Sequence, residues 1–140
     1  MKFFAFLFLP GLLACTQDRT TIEAAQIEQT TAQLTAVQWR IKLFIEDGDD
    51  YTRRFENYRF VFMSDGNLSI FNASAERRSE GRWRFFEDDG KTEFEISLLS
   101  GNKYEDLNDD WYVVAASANE MRFEDNSSSR PERLTLERIP

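Results

Sequence analysis

Carboxylates carry most of the chemistry this chain could perform, because its 140 residues hold 25 Asp and Glu but no His and a single Cys. That inventory removes zinc centres, Cys-His pairs and Ser-His-Asp triads built within the chain. The sequence also contains no phosphate-cradling glycine loop, no G-x-S-x-G and no G-x-G-x-x-G. Two acidic stretches remain: Glu46, Asp47, Asp49 and Asp50, then Glu105, Asp106, Asp109 and Asp110. Hard oxygen ligands in loops suit Ca²⁺, and Asp106-x-Asn108-x-Asp110 has the opening spacing of a calcium loop. The pattern then breaks, since Trp111 stands where that loop needs Gly and Ser117 where it needs a closing bidentate Glu. Arg53, Arg54, Arg77, Arg78 and Arg130 are placed to neutralise the same acids. Solvated or ion-paired loops are therefore the favoured reading, with calcium the weaker one. A glycosidase-like carboxylate pair has no substrate cleft visible in the sequence. Asn108 and its acidic neighbours also suit turns and short caps, as do Asn67, Asn72 and Asn126.

The lone cysteine has a different use. Lys2 precedes an apolar run, Phe3 to Leu13, about half as long as a membrane-spanning helix needs, which is the layout of an export signal. Leu12-Leu13-Ala14-Cys15 resembles the lipobox of bacterial lipoproteins, and that resemblance implies cleavage after Ala14 and acylation of Cys15. Thr16 follows rather than Asp, which leans toward outer-membrane retention. With no second cysteine there is no internal disulfide, so an exported domain must be stable through packing alone. The formal charge of -8 disfavours nucleic acid and anionic headgroups as partners, leaving the lipid as the membrane anchor.

These residues must be positioned by something, and the periodicity says what. Residues 1–14 read as signal peptide and 15–38 as a lipidated tether rather than core. Thr20-x-x-Glu23 is a capping-box pattern, and Ala24, Ile27, Thr31 and Leu34 recur at helical spacing, so the tether is either a short amphipathic helix or a flexible stalk. From Trp39 to Arg138 the period becomes two. Trp39, Ile41, Leu43 and Ile45 alternate with polar residues, Phe44 excepted. Tyr58, Phe60 and Phe62 form the next apolar face, and Ser64-Asp-Gly-Asn67 is a hairpin turn into Leu68 and Ile70. Trp83 and Phe85 lead to the Asp88-Asp89-Gly90 turn, then to Phe94, Ile96 and Leu98. Trp111, Val113 and Ala115, then Met121 and Phe123, then Leu134 and Leu136 complete eight strands.

Eight short antiparallel strands with hairpin-sized links predict an all-β, up-and-down barrel, with a β-sandwich as the alternative. The odd-numbered links read as long loops (Asp47–Asn57, Ser74–Glu80, Ser100–Asp110 and Asn126–Glu132) and the even-numbered ones as tight turns. One end would then be closed by hairpins and the other rimmed by loops, with both termini at the closed end and the rim as the working end.

Five segments together resemble a family of small, lipid-anchored bacterial proteins with a lipocalin-like barrel: Asp47-Gly-Asp-Asp-Tyr-Thr-Arg-Arg-Phe55, Tyr58-Arg-Phe-Val-Phe62, Gly81-Arg-Trp83, Leu107-Asn-Asp-Asp-Trp111 and Leu134-Thr-Leu-Glu-Arg138. The chain departs from that pattern in lacking a glycine just before Trp39 and in having Asn126-Ser-Ser-Ser-Arg130 where the family is glycine-rich. The resemblance implies an eight-stranded lipocalin-like barrel and an anchor, and it transfers no catalytic residue. In such barrels inward aromatics line a small apolar ligand or fill the interior themselves. Here the inward set is Trp39, Tyr58, Phe60, Phe62, Trp83, Phe85, Phe94, Trp111 and Phe123. The functional expectation is a non-catalytic envelope lipoprotein whose loop rim meets a small apolar ligand or an envelope protein. The alternative is a scaffold lipoprotein with a filled barrel.

Overall fold

A computed structural model describes residues 15–98 and 104–140, the side chains of residues 15–23 excepted. The export signal expected over 1–14, and part of the fifth link, lie outside the described residues. Helix α1 (Cys15–Thr35) precedes nine strands: β1 (Trp39–Glu46), β2 (Asp49–Asp50), β3 (Tyr58–Phe62), β4 (Asn67–Asn72), β5 (Arg77–Asp88), β6 (Lys91–Leu98), β7 (Asp110–Ala116), β8 (Glu120–Asp125) and β9 (Glu132–Arg138). β2 is a two-residue return onto β1. The other eight pair antiparallel with their sequence neighbours, and β1 also pairs with β9, from Trp39 opposite Arg138 to Ile45 opposite Arg133. The sheet thus closes on itself as an eight-stranded up-and-down barrel, which leaves no long unpaired edge.

Turn chemistry places the hairpins. Asp89 and Gly90 both have positive φ (47° and 76°) and join Asp88 to Lys91, the two-residue turn whose twist matches the strands it connects. Asp47 (φ 50°) and Gly48 (φ 85°) do the same between β1 and β2. At the β3–β4 turn, the Asp65 carboxylate accepts the Asn67 backbone N–H at 3.0 Å while Gly66 takes φ 82°. The C-terminal end of the barrel is tied to the N-terminal end and to the β7–β8 turn: Ile139 N–H donates to the Gln38 carbonyl, and Arg138 N–H to that of Asn119, each at 2.9 Å.

Three expectations need correction. The alternation of β1 slips at a bulge between Ile41 and Leu43, so Phe44 is fully buried while Leu43 and Ile45 are only half-buried. The third link is not a long loop, because β5 begins at Arg77 and only residues 73–76 connect it to β4. There the Asn72 side-chain oxygen accepts the backbone N–H of Ser74 and Ala75, a short turn that replaces the loop. The tether is also not wholly outside the core: α1 is a helix to Thr35, and its last turns bury Thr30 and Leu34. Leu34 joins the barrel core, and the Trp39 indole N–H donates to the Leu34 carbonyl at 2.8 Å.

Candidate functional site

The interior is the first place to look for a ligand, since β1 and β3 to β9 each send apolar side chains into it. Eight of the nine aromatics expected there are buried, and Phe85 is half-buried against them. They pack on one another. Phe94 stacks on Phe123 with ring centres 4.7 Å apart and lies 5.0 Å from Phe85 and 5.7 Å from Phe62. Trp83 meets Phe62 edge-on at 5.9 Å and gives its indole N–H to the carbonyls of Met63 and Asn67. Such edge and stacked pairs add to the burial of the rings themselves, which is worth about 1.5–3 kcal/mol for a Phe side chain.

Sequence alternation missed a second aromatic layer, because three of its members sit in a bulge or in loops. Phe44 enters through the β1 bulge, Phe55 from a 3₁₀ turn (Thr52–Phe55), and Tyr104 just before another (Glu105–Leu107), beside the buried Leu107. Phe55 contacts Phe44 at 5.6 Å, Tyr58 at 5.8 Å and Tyr104 at 6.0 Å. Tyr104 and Tyr58 meet edge-on at 5.2 Å, and burial followed by the adjacent Tyr58 hydroxyl raises the Tyr104 phenol above its ordinary range. Loop aromatics thus pack over the rim end of the barrel while Leu34 packs at the other. The Asp47-Gly48 dipeptide was the one sequence signal that the first long loop folds back on β1.

The acids expected on the rim disperse. Asp106 pairs with Arg54 at 2.7 Å. The Asn108 side-chain oxygen accepts the Leu98 backbone N–H, which extends the β6 ladder where β7 no longer does, and Asp110 is exposed. Asp50 accepts the Thr52 N–H, and Arg130 donates to the Asp47 carbonyl rather than to a carboxylate. A different trio comes together: Asp109, Asp125 and Glu132 place carboxylate oxygens within 4.8 Å of one another. Asp125 and Glu132 are opposite each other across β8 and β9. Asp125 is buried and accepts the Ser127 backbone N–H at 2.9 Å and the Ser127 hydroxyl at 2.5 Å. Among the described residues, no Lys or Arg forms an ion pair with this trio. Burial, then the charges of Asp125 and Asp110, raise the Asp109 carboxyl above its usual range, against the opposing pull of the Asp110 N–H. Glu132 is raised by burial, then by Asp109, Asp125 and Asp47. Carboxylates alone at this spacing do not define a metal centre.

Among the described residues, hollows also lie outside the aromatic core. One, of about 390 Å³ and partly open, is lined by Met63, Asn67, Glu80, Gly81, Arg82 and Ser97, together with Leu68 and Leu98. Another, of about 470 Å³ and wide open, lies where β6 and β7 part, against Glu95, Ser97, Asn108 and Asp110. Neither takes a lining residue from the nine aromatics. No helix among the described residues is long and apolar enough to cross a membrane.

No protein-family model and no curated protein matches the chain. Among solved structures, it is similar to a lipocalin-like protein from Bacteroides uniformis, with 12% identity over 76% of this chain and 99% of that one and a TM-score of 0.49.

Proposed function

We propose that the protein is a lipid-anchored, non-catalytic module of the bacterial cell envelope that binds a protein partner through its outer surface, not a small molecule in its barrel. The observation that carries this reading is the mutual packing of the interior aromatics, with Phe94 at 4.7 Å from Phe123 and loop-borne Phe55 seated among Phe44, Tyr58 and Tyr104. An eight-stranded barrel is wide enough for its own side chains or for one small ligand. Side chains from eight staves and two loops already meet inside this one.

The anchor rests on Leu12-Leu13-Ala14-Cys15, with α1 as spacer. A helix of 21 residues reaches about 30 Å, enough to hold the barrel clear of headgroups. Absence of His, and of any Cys beyond the anchor, supports a binding role over catalysis. Native mass spectrometry of the chain purified from its own host tests the interior. A bare, acylated chain is the expected result. A reproducible bound apolar mass, released on denaturation, would overturn the reading in favour of a ligand carrier.

A further inference from the structure

The outer wall of β3, β4 and β5 differs from the rest of this acidic molecule. Residues directly opposite in an antiparallel pair share a face. Arg59 opposes Phe71, which opposes Arg78, and the inward neighbours Tyr58, Phe60, Ile70 and Asn72 are buried, so this row points outward. Arg59 and Arg78 are exposed with half-buried Phe71 between them, about 10 Å apart across two strand spacings. Further along β5 the outward positions are Glu80, Arg82 and Arg84.

Charge on this wall is left over. Arg84 pairs with Glu95, whereas among the described residues Arg59, Arg78 and Arg82 form no ion pair. Arg82 donates one N–H to the Asn67 side-chain oxygen at 3.1 Å and forms no other side-chain hydrogen bond among the described residues, although its charge also reaches the Asp65 carboxylate in the neighbouring hairpin. Glu80 is the one carboxylate between Arg78 and Arg82 and enters no ion pair among the described residues. In a chain of net charge -8, unpaired arginines on one wall attract an anionic partner despite the overall repulsion. The 390 Å³ hollow opens in the same wall, with Arg82 and Glu80 in its lining. Met63, one of two large apolar side chains left exposed among the described residues, lines it together with the buried Leu68 and Leu98.

We infer that this wall docks an acidic segment of a partner protein, its carboxylates on Arg59, Arg78 and Arg82 and one bulky apolar side chain in the hollow beside Met63. This deepens the outer-surface reading and rests on it. A protein is favoured over the anionic membrane surface by the position of two of the three arginines. Arg59 and Arg78 lie at the loop end of the wall, away from α1, which joins the barrel at the opposite end through Trp39 and Leu34, while Arg82 and Met63 lie nearer that end, beside the β3–β4 hairpin. The apolar seat next to separated arginines also suits side chains of alternating chemistry better than a bed of headgroups.

The test is fluorescence anisotropy of a labelled peptide repeating Glu-Glu-Leu, titrated with the full chain in detergent. Wild type should bind in a salt-sensitive way. The Arg59→Glu/Arg78→Glu variant should bind about tenfold more weakly or worse, with an unchanged melting temperature because both side chains are exposed. Met63→Glu should also weaken binding, and Arg133→Glu on β9 should not. Equal binding by wild type and the double variant overturns the wall, and indifference to Met63→Glu overturns the apolar seat. No peptide binding overturns the inference, as does a preference for phosphatidylglycerol-containing vesicles over the peptide. A carrier function would instead appear as a bound mass in native spectrometry, whatever the wall variants do.

Discussion

The Trp39 indole donates its N–H to the carbonyl of Leu34 at 2.8 Å, and both side chains are fully buried. This bond ties the last turn of α1 to the first residue of the barrel, at the point where β1 meets both β3 and β9. A helix C-terminus leaves carbonyls without partners, and here a tryptophan from the following strand takes one of them. The last turns of the helix are therefore a structural part of the barrel.

Leu34→Ala should lower unfolding stability by about 2–5 kcal/mol in urea titrations, the range for removing a buried leucine. Ala32→Ser, on the exposed side of the same turn, should change it by less than about 0.5 kcal/mol. If both variants unfold like wild type, the helix end is not core.

Phe94 has the rings of Phe62, Trp83, Phe85 and Phe123 around it, so Phe94→Ala should cost about 3–5 kcal/mol in the same titration. A small loss would indicate that the interior has slack, which would favour a ligand chamber.

Gly81 sits opposite Leu98, hard against β6. A Cβ there would lie 2.4 Å from a Leu98 methyl and 2.8 Å from the Ser97 carbonyl. Gly81→Ala should destabilise by about 1–3 kcal/mol through overpacking, with backbone displacement visible as amide shift changes along Leu98 and Ser97. A neutral or stabilising outcome would show that β6 yields freely.

The Asp109, Asp125 and Glu132 trio predicts an unusual pH response. Asp109 and Glu132 have folded-state pKa values raised above ordinary carboxylates. The folded state then binds more protons than the unfolded one between the ordinary and the raised values. Their contribution is fully favourable below the ordinary range and is lost as pH rises through the raised values. Asp109→Asn should thus stabilise the protein at pH 7, with the gain shrinking as pH falls toward 4. Thermal melts across that range would expose the opposite trend if the trio were instead compensated by a cation.

Much of the fold was legible because strands advertise themselves by alternation and hairpins by turn dipeptides. Phe60, Phe94 and Phe123 were legible as inward because they occupy the apolar phase of uninterrupted strands. Phe44, equally buried, was not, since a bulge shifts phase without leaving a mark in composition. Phe55, Tyr104 and Leu107 were hidden for another reason: short 3₁₀ turns present single apolar residues to the core with no period to detect. The acidic trio was harder still. Asp125 and Glu132 meet only through the β8–β9 register, and Asp109 arrives from before β7, so residues remote in sequence assemble through pairing alone. Asp106 and Asn108, two positions apart in sequence and suggestive in spacing, serve an ion pair and a backbone ladder instead.

The unequal neighbours of β1 bear on how the domain carries force. Toward β3 it is joined at one position, Trp39 with Phe60, whereas toward β9 it is paired from Trp39 to Ile45. A pull applied between the helix side and the loop end would run along the length of β1. It loads the β1–β9 hydrogen bonds together in shear, not one after another as in peeling. The seam that looks weakest by pairing thus lies beside the strand best placed to resist a pull, and the barrel can act as a link under load.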